Sequence, residues 1–104
     1  PYLDSGTESV PAGPTALLPA RPSPFTGATQ VAFRLRRAQE VHLSIYDING
    51  RHVRTLADGV LPAGEHRLQW DGRTAEGVKA GIGVYLTTFR AGSVQQSQKL
   101  YLYR

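Results

Sequence analysis

The sequence predicts an all-β domain of the antiparallel sandwich class, and three observations carry that expectation. Apolar residues recur at every second position in short runs. The runs are separated by Gly, Asp and Asn, the residues that turns require. No stretch of ordinary helix length shows a helical period. A chain of 104 residues is one domain's worth, and a domain of about 100 residues removes roughly 60 to 70% of its unfolded surface from water. It needs no covalent staple to fold.

Six of the seven prolines lie within the first 24 residues, so residues 1–15 read as a stiff, extended linker and the folded unit as residues 16–104. A short first strand is expected at Leu17 to Ala20. Val31, Phe33 and Leu35 then alternate with Ala32, Arg34 and Arg36, and Val41, Leu43 and Ile45 with His42, Ser44 and Tyr46. Asp47-Ile48-Asn49-Gly50 places Asp at the first and Gly at the fourth position of a turn. The chain returns over Arg51 to Leu56, makes a loop from Ala57 to Gly64, and alternates again from Glu65 to Trp70, with His66, Leu68 and Trp70 on one face. Asp71-Gly72 closes that strand. Arg73 to Gly83 reads as a structured loop before a strand from Val84 to Arg90. A Gly92-Ser93 turn leads to a last strand from about Gln95 to Tyr103. Seven strands at this spacing fit a β-sandwich.

Two residues invite structural readings. Trp70 is expected in the core, with the Asp71 carboxylate accepting backbone N–H groups in the turn beneath it. Tyr85 follows Gly83 at the start of a strand, where its hydroxyl can bond back to the preceding backbone. The final strand alternates Leu100 and Leu102 with Tyr101 and Tyr103, so one face should be buried and the other carry aromatics. We expect that strand inside its sheet. At an edge it would offer unpaired backbone groups to another chain.

The chemistry available is thin. With no Cys in the sequence there is no disulfide, thiolate metal site or cysteine nucleophile. His42, Ser44 and Asp47 lack a nucleophile elbow, and side chains two apart on a strand start about 7 Å from one another. His52, His66 and Asp71 lack the short spacing of metal ligands. Asp47 and Asn49 copy the start of a calcium loop without its downstream Glu, so a turn is the better reading. No catalytic residue, metal or cofactor is expected.

The net charge of +4 rests on ten Arg and two Lys. Arg34, Arg36 and Arg37 lie close together, and Arg51, Arg54 and Arg67 are placed on strands that adjacency would group. Such a surface suits a solvated face or contact with an anionic surface glycan. Without interleaved aromatics, nucleic acid is not expected. No run reaches the roughly 18 to 20 apolar residues of a membrane span, and none reads as a secretory signal. The missing Met and the start at Pro1 mark the chain as an expected piece of a longer protein, any export signal lying upstream.

The order of motifs resembles a known family. Pro22, Pro24 and Phe25, with Ser23 where the family usually has Asn, are followed by Tyr46 and Asp47, Gly50 and Arg51, Gly64, Trp70-Asp71-Gly72, Gly77, Gly83 and Tyr85. From about residue 17 to 104 this run is similar to the immunoglobulin-like domain of the flagellar hook-assembly protein FlgD and to the C-terminal sorting domain of type IX secretion substrates. The resemblance implies an immunoglobulin-like antiparallel β-sandwich of about seven strands. It implies a non-enzymatic module of an exported bacterial protein, secreted or at the cell surface, whose partners are an upstream cargo domain and proteins of the secretion or envelope machinery. Recognition would run through Lys99, Leu100, Tyr101, Leu102, Tyr103 and Arg104. The same resemblance leaves open an assembly or scaffold module, or a self-associating surface subunit.

Overall fold

A computed structural model describes residues 13–21 and 23–103. Pro22, Arg104 and residues 1–12 of the expected linker lie outside the described residues. Seven strands follow in order: β1 (Ala16–Leu17), β2 (Thr29–Leu35), β3 (Gln39–Asp47), β4 (His52–Leu61), β5 (Gly64–Trp70), β6 (Gly83–Ala91) and β7 (Val94–Leu102). They form two antiparallel sheets, ordered β1-β2-β5 and β4-β3-β6-β7. This is the immunoglobulin-like sandwich that the alternation and the resemblance predict.

Period-two patterning sets which face of each strand turns inward. Val31, Phe33 and Leu35 from β2 and Val41, Leu43 and Ile45 from β3 are fully buried. Phe89 of β6 meets Phe33 across the layers with ring centroids 5.2 Å apart. Within the smaller sheet Phe33 stacks on its cross-strand partner His66 at 5.1 Å. At one end of the sandwich the Trp70 indole, fully buried, meets the edge of Phe25 at 5.5 Å and of Tyr85 at 5.2 Å. Its Nε1–H donates to the Arg73 carbonyl at 2.9 Å, so the one polar atom of the ring is satisfied.

Three expectations are corrected. The loop predicted from Ala57 to Gly64 is mostly strand: β4 runs to Leu61. Two register shifts against β3 break its alternation, and Leu56, Ala57 and Leu61 all pack on the core, so no single period marks it. The first strand is Ala16–Leu17, because Pro19 has no N–H to donate and the Leu18 carbonyl and Ala20 N–H turn to Gln98 before Arg21 rejoins β2 at Gln30. The last strand, expected inside its sheet, is an edge.

The packing generates two predictions for urea unfolding. Trp70→Ala removes a ring wedged between Phe25 and Tyr85 and should cost about 3 to 5 kcal/mol. Thr87 is fully buried on β6 and its Oγ1 has no hydrogen-bond partner among the described residues. Thr87→Val, which keeps the shape and removes that hydroxyl, should raise stability by about 1 kcal/mol.

Candidate functional site

The described residues of the motif, apart from Gly64 at the start of β5, gather at the end of the sandwich where β3, β5 and β7 finish and β4 and β6 begin. The Asp47 carboxylate Oδ1 accepts the backbone N–H of Asn49 and of Arg51, each at 2.9 Å, and the Gly50 N–H closes the turn on the Asp47 carbonyl at 3.0 Å. Gly50 stands at φ +83°, a conformation that a side chain would strain. Arg51 Nε lies 3.4 Å from Asp47 Oδ2. These donors, the Arg51 N–H foremost, hold the Asp47 carboxyl below the ordinary carboxylate range. With both oxygens engaged by the chain itself, Asp47 and Asn49 form a turn.

Beneath the indole, Asp71 Oδ1 accepts the Arg73 N–H at 3.1 Å and Arg54 Nη1 at 3.2 Å. Gly72 is buried at φ +74°, where a Cβ would lie 3.5 Å from the Gly27 carbonyl and 3.7 Å from Leu102. The segment that follows folds on itself through an isolated bridge between Arg73 and Lys79, and Arg73 Nη1 donates to the carbonyl of Gly77 at 2.9 Å. It is tied to β4 by the Ala75 N–H on the Val53 carbonyl at 2.9 Å. Tyr85 donates its hydroxyl back to the Gly81 carbonyl, the corner that its position predicts. Gly64, Gly77 and Gly83 also adopt positive φ. Asp47, Gly50, Arg51, Trp70, Asp71, Gly72 and Tyr85 thus each have a place in the fold.

The candidate partner segment lies beside them. On β7, Leu100 and Leu102 are buried, whereas Tyr101 and Tyr103 are 45% and 51% exposed. Phe25 joins this edge as a parallel bridge: its N–H donates to the Tyr101 carbonyl at 2.9 Å, and the Tyr103 N–H donates to the Phe25 carbonyl at 3.0 Å. Exposed Ile48, Val78 and Ile82 stand in the turn and the loop of the same end.

Sequence reasoning missed Gln96 and Gln98. Gln96 Oε1 accepts the Leu17 N–H at 2.7 Å. Gln98 Oε1 accepts the Ala20 N–H at 3.0 Å, while its Nε2 donates to the Leu18 carbonyl at 2.8 Å. The signal was there: two glutamines on the same strand face as Leu100 and Leu102, at positions that alternation marks as inward. A shallow groove of about 500 Å³ runs along this side, lined by Leu17, Leu18, Pro19, Gln96, Ser97 and Gln98.

The structure does not assemble the other candidates into sites. His42 Nδ1 lies 2.7 Å from Asp58 Oδ1 on β4, and Ser44 Oγ contacts Thr55 Oγ1 at 3.5 Å, so His42 and Ser44 have separate partners. His52 shares a hydrogen bond with Thr55 at 2.8 Å and His66 donates to the Pro62 carbonyl at 2.8 Å. The strands carrying Arg54 and Arg67 are not adjacent, because β4 and β5 belong to different sheets, and Arg51 lies in the turn before β4. Arg67 and Arg34 instead flank Glu65 at 3.3 and 4.0 Å on the outer face of the smaller sheet.

Fold and site together define an immunoglobulin-like sandwich whose distinguishing residues build one braced end and an exposed final edge. The chain belongs to the FlgD Ig-like domain family, whose family model matches residues 20–95. It is 35% identical over 79 residues to the basal-body rod modification protein FlgD of Salmonella typhimurium, a match covering 72% of this chain and 34% of that protein. FlgD of Salmonella typhi matches to the same extent. The chain therefore spans about a third of the length of the curated relatives it matches. Among solved structures, dimeric latent PorU of Porphyromonas gingivalis is similar at TM-score 0.66 and 21% identity, over 86% of this chain and 9% of that one. PorZ, an essential surface component of the type IX secretion system of the same organism, follows at 0.59 and 20%, over 86% and 12%. FlgD of Xanthomonas campestris, the hook-capping protein, is similar at 0.57 and 28%, over 93% and 71%.

The Asp47 turn generates a pH prediction. A carboxyl whose pKa is lowered on folding stabilises the fold above its unfolded pKa, and that contribution is lost as pH falls through the folded value. Wild type should melt above Asp47→Asn at pH 7, and the gap should close below about pH 4, in thermal melts followed by circular dichroism.

Proposed function

We propose that this chain is a non-catalytic docking module of an exported bacterial protein, directing its secretion or its attachment at the cell surface. The observation that supports the reading is the last strand: an edge, with Tyr101 and Tyr103 exposed over buried Leu100 and Leu102. Exposed aromatics beside apolar Ile48, Val78 and Ile82 form a surface of the kind that protein partners cover. Partners are proteins of the secretion or envelope machinery, which would read Lys99 to Arg104, and the proline-rich residues 1–15 would space the module from an upstream cargo. An anionic surface glycan is a further partner, met by Arg36 and Arg37 at the turn between β2 and β3. The braced end holds Phe25 against Trp70, and Phe25 in turn bonds the backbone of this segment at Tyr101 and Tyr103.

A second reading, an assembly or scaffold module, is favoured by one observation: identity is higher to the FlgD proteins, at 35% and 28%, than to PorU, at 21%. In that role the same edge would contact subunits of a structure under construction.

A reporter carrying residues 16–104 at its C-terminus, behind an ordinary export signal in a bacterium with a type IX system, separates the two. Release or surface display that disappears when Lys99 to Arg104 are deleted is the expected outcome. Retention of both reporters in the periplasm removes the sorting reading and leaves the assembly one.

A further inference from the structure

The β7 edge has a property that neither reading uses. Its pairing with β6 runs in unbroken register from Gly83↔Leu102 to Ala91↔Val94, without a bulge. Alternate residues of a strand direct their backbone groups to opposite sides. The Tyr101 carbonyl and Tyr103 N–H bond to Phe25, away from β6, so the N–H and C=O groups of Gln95, Ser97 and Lys99 also point outward. No other segment of the described chain bonds them. Five residues of regular, low-charge edge are open between the Gly92-Ser93 turn and the Phe25 bridge. The far edge of the same sheet is blunted instead: β4 carries two register shifts, and Gly59 lies at φ +140°.

We infer that the open edge is a self-association site, at which β7 of a second copy adds antiparallel about a two-fold axis through Ser97. The register argues for this occupant. Centred on Ser97, the outward groups of Gln95, Ser97 and Lys99 meet those of the second copy's Lys99, Ser97 and Gln95, so every open donor faces an open acceptor. Continuing the register sets Tyr101, already occupied by Phe25, opposite Ser93 of the second copy, where that copy's strand has ended in its turn. The open length therefore matches the length that an identical strand can fill. Charges agree as well: Lys99 falls opposite an uncharged Gln95, and no like charges are paired. The groove beside Leu17 to Pro19 leaves the edge accessible to the added strand. The two four-stranded sheets become one continuous sheet, an isologous contact that closes at two copies.

The test uses the purified 104-residue chain, so its outcome does not depend on any export experiment. Sedimentation velocity from about 10 μM to about 1 mM, the range of small interfaces, should show a monomer passing into a dimer. Amide exchange at Gln95, Ser97 and Lys99 should slow over the same range. Ser97→Pro deletes an outward N–H that the monomer leaves unbonded, which edge strands tolerate, and should abolish the dimer. Gln95→Glu, set opposite Lys99 of the second copy, should tighten association, and Gln95→Lys should weaken it, each by roughly three- to tenfold. A chain that stays monomeric with these amides exchanging freely, including one whose edge is protected only by an added foreign protein, overturns the proposal. So does a dimer that ignores both the proline and the charge at position 95.

Discussion

The structure depends on a single buried indole. Trp70 sits at the end of an edge strand of the smaller sheet, yet its ring lies between Phe25 and Tyr85, which belong to the other layer and to the segment that bridges to it. A ring of that size cannot be covered by one sheet, so its burial forces the layers together at this end. Its N–H then requires an acceptor, and the carbonyl of Arg73 fills that need only if the chain turns sharply at Gly72. From that turn follow the Asp71 contacts with Arg54 and Arg73, the folding of the segment up to Lys79, and the placement of Tyr85 at its corner. The sequence pattern shared with the FlgD Ig-like family is largely a record of this chain of requirements.

What was legible in the sequence divides along the same line. Strands with one buried face announce themselves by alternation, and β2, β3, β5 and β6 are found within a residue or two of where the pattern puts them. Turns that need Asp or Gly for stated reasons, at Asp47 to Gly50 and at Asp71-Gly72, are found as read. The second half of β4 was illegible because bulges shift its phase, so that Leu56 and Ala57 pack inward side by side and no template fits. Strand order was illegible for a different reason: whether β7 is central or at an edge depends on which strands lie beside it, and local pattern carries no such information. Gln96 and Gln98 could be seen only as exceptions to the alternation. Their meaning required the partner segment 17–20.

Charge tells a complementary story. The arginine surplus reads as one basic surface in the sequence, but the fold distributes it. Arg51 and Arg54 serve the carboxylates of the two turns at the braced end, while Arg34 and Arg67 flank Glu65 on the smaller sheet. Surface pairs of this kind contribute little to stability individually. What they do is hold loops in one geometry, and they leave Arg36 and Arg37, with Arg21, Arg73, Arg90, Lys79 and Lys99, outside the ion pairs of the described residues.

The glutamine clasp has a consequence for how the domain comes into being. Its hydrogen bonds join residues 78 to 80 positions apart, and the Phe25 bridge likewise unites an early segment with the last strand. Contacts between such distant positions close the largest loops and are entropically the most costly to make first. On a ribosome, moreover, the first residues of the domain wait for the final strand to leave the exit tunnel before their partners exist. Until then segment 17–25 has its partners on β2 but none for the Leu17 and Ala20 N–H groups or for the Phe25 backbone, and the sandwich stays open along that side. Completion of this domain's fold is thereby tied to synthesis of β7: a chain released short of that strand has no clasp and no backbone partner for Phe25, and it presents that open side to the quality-control machinery of the cell.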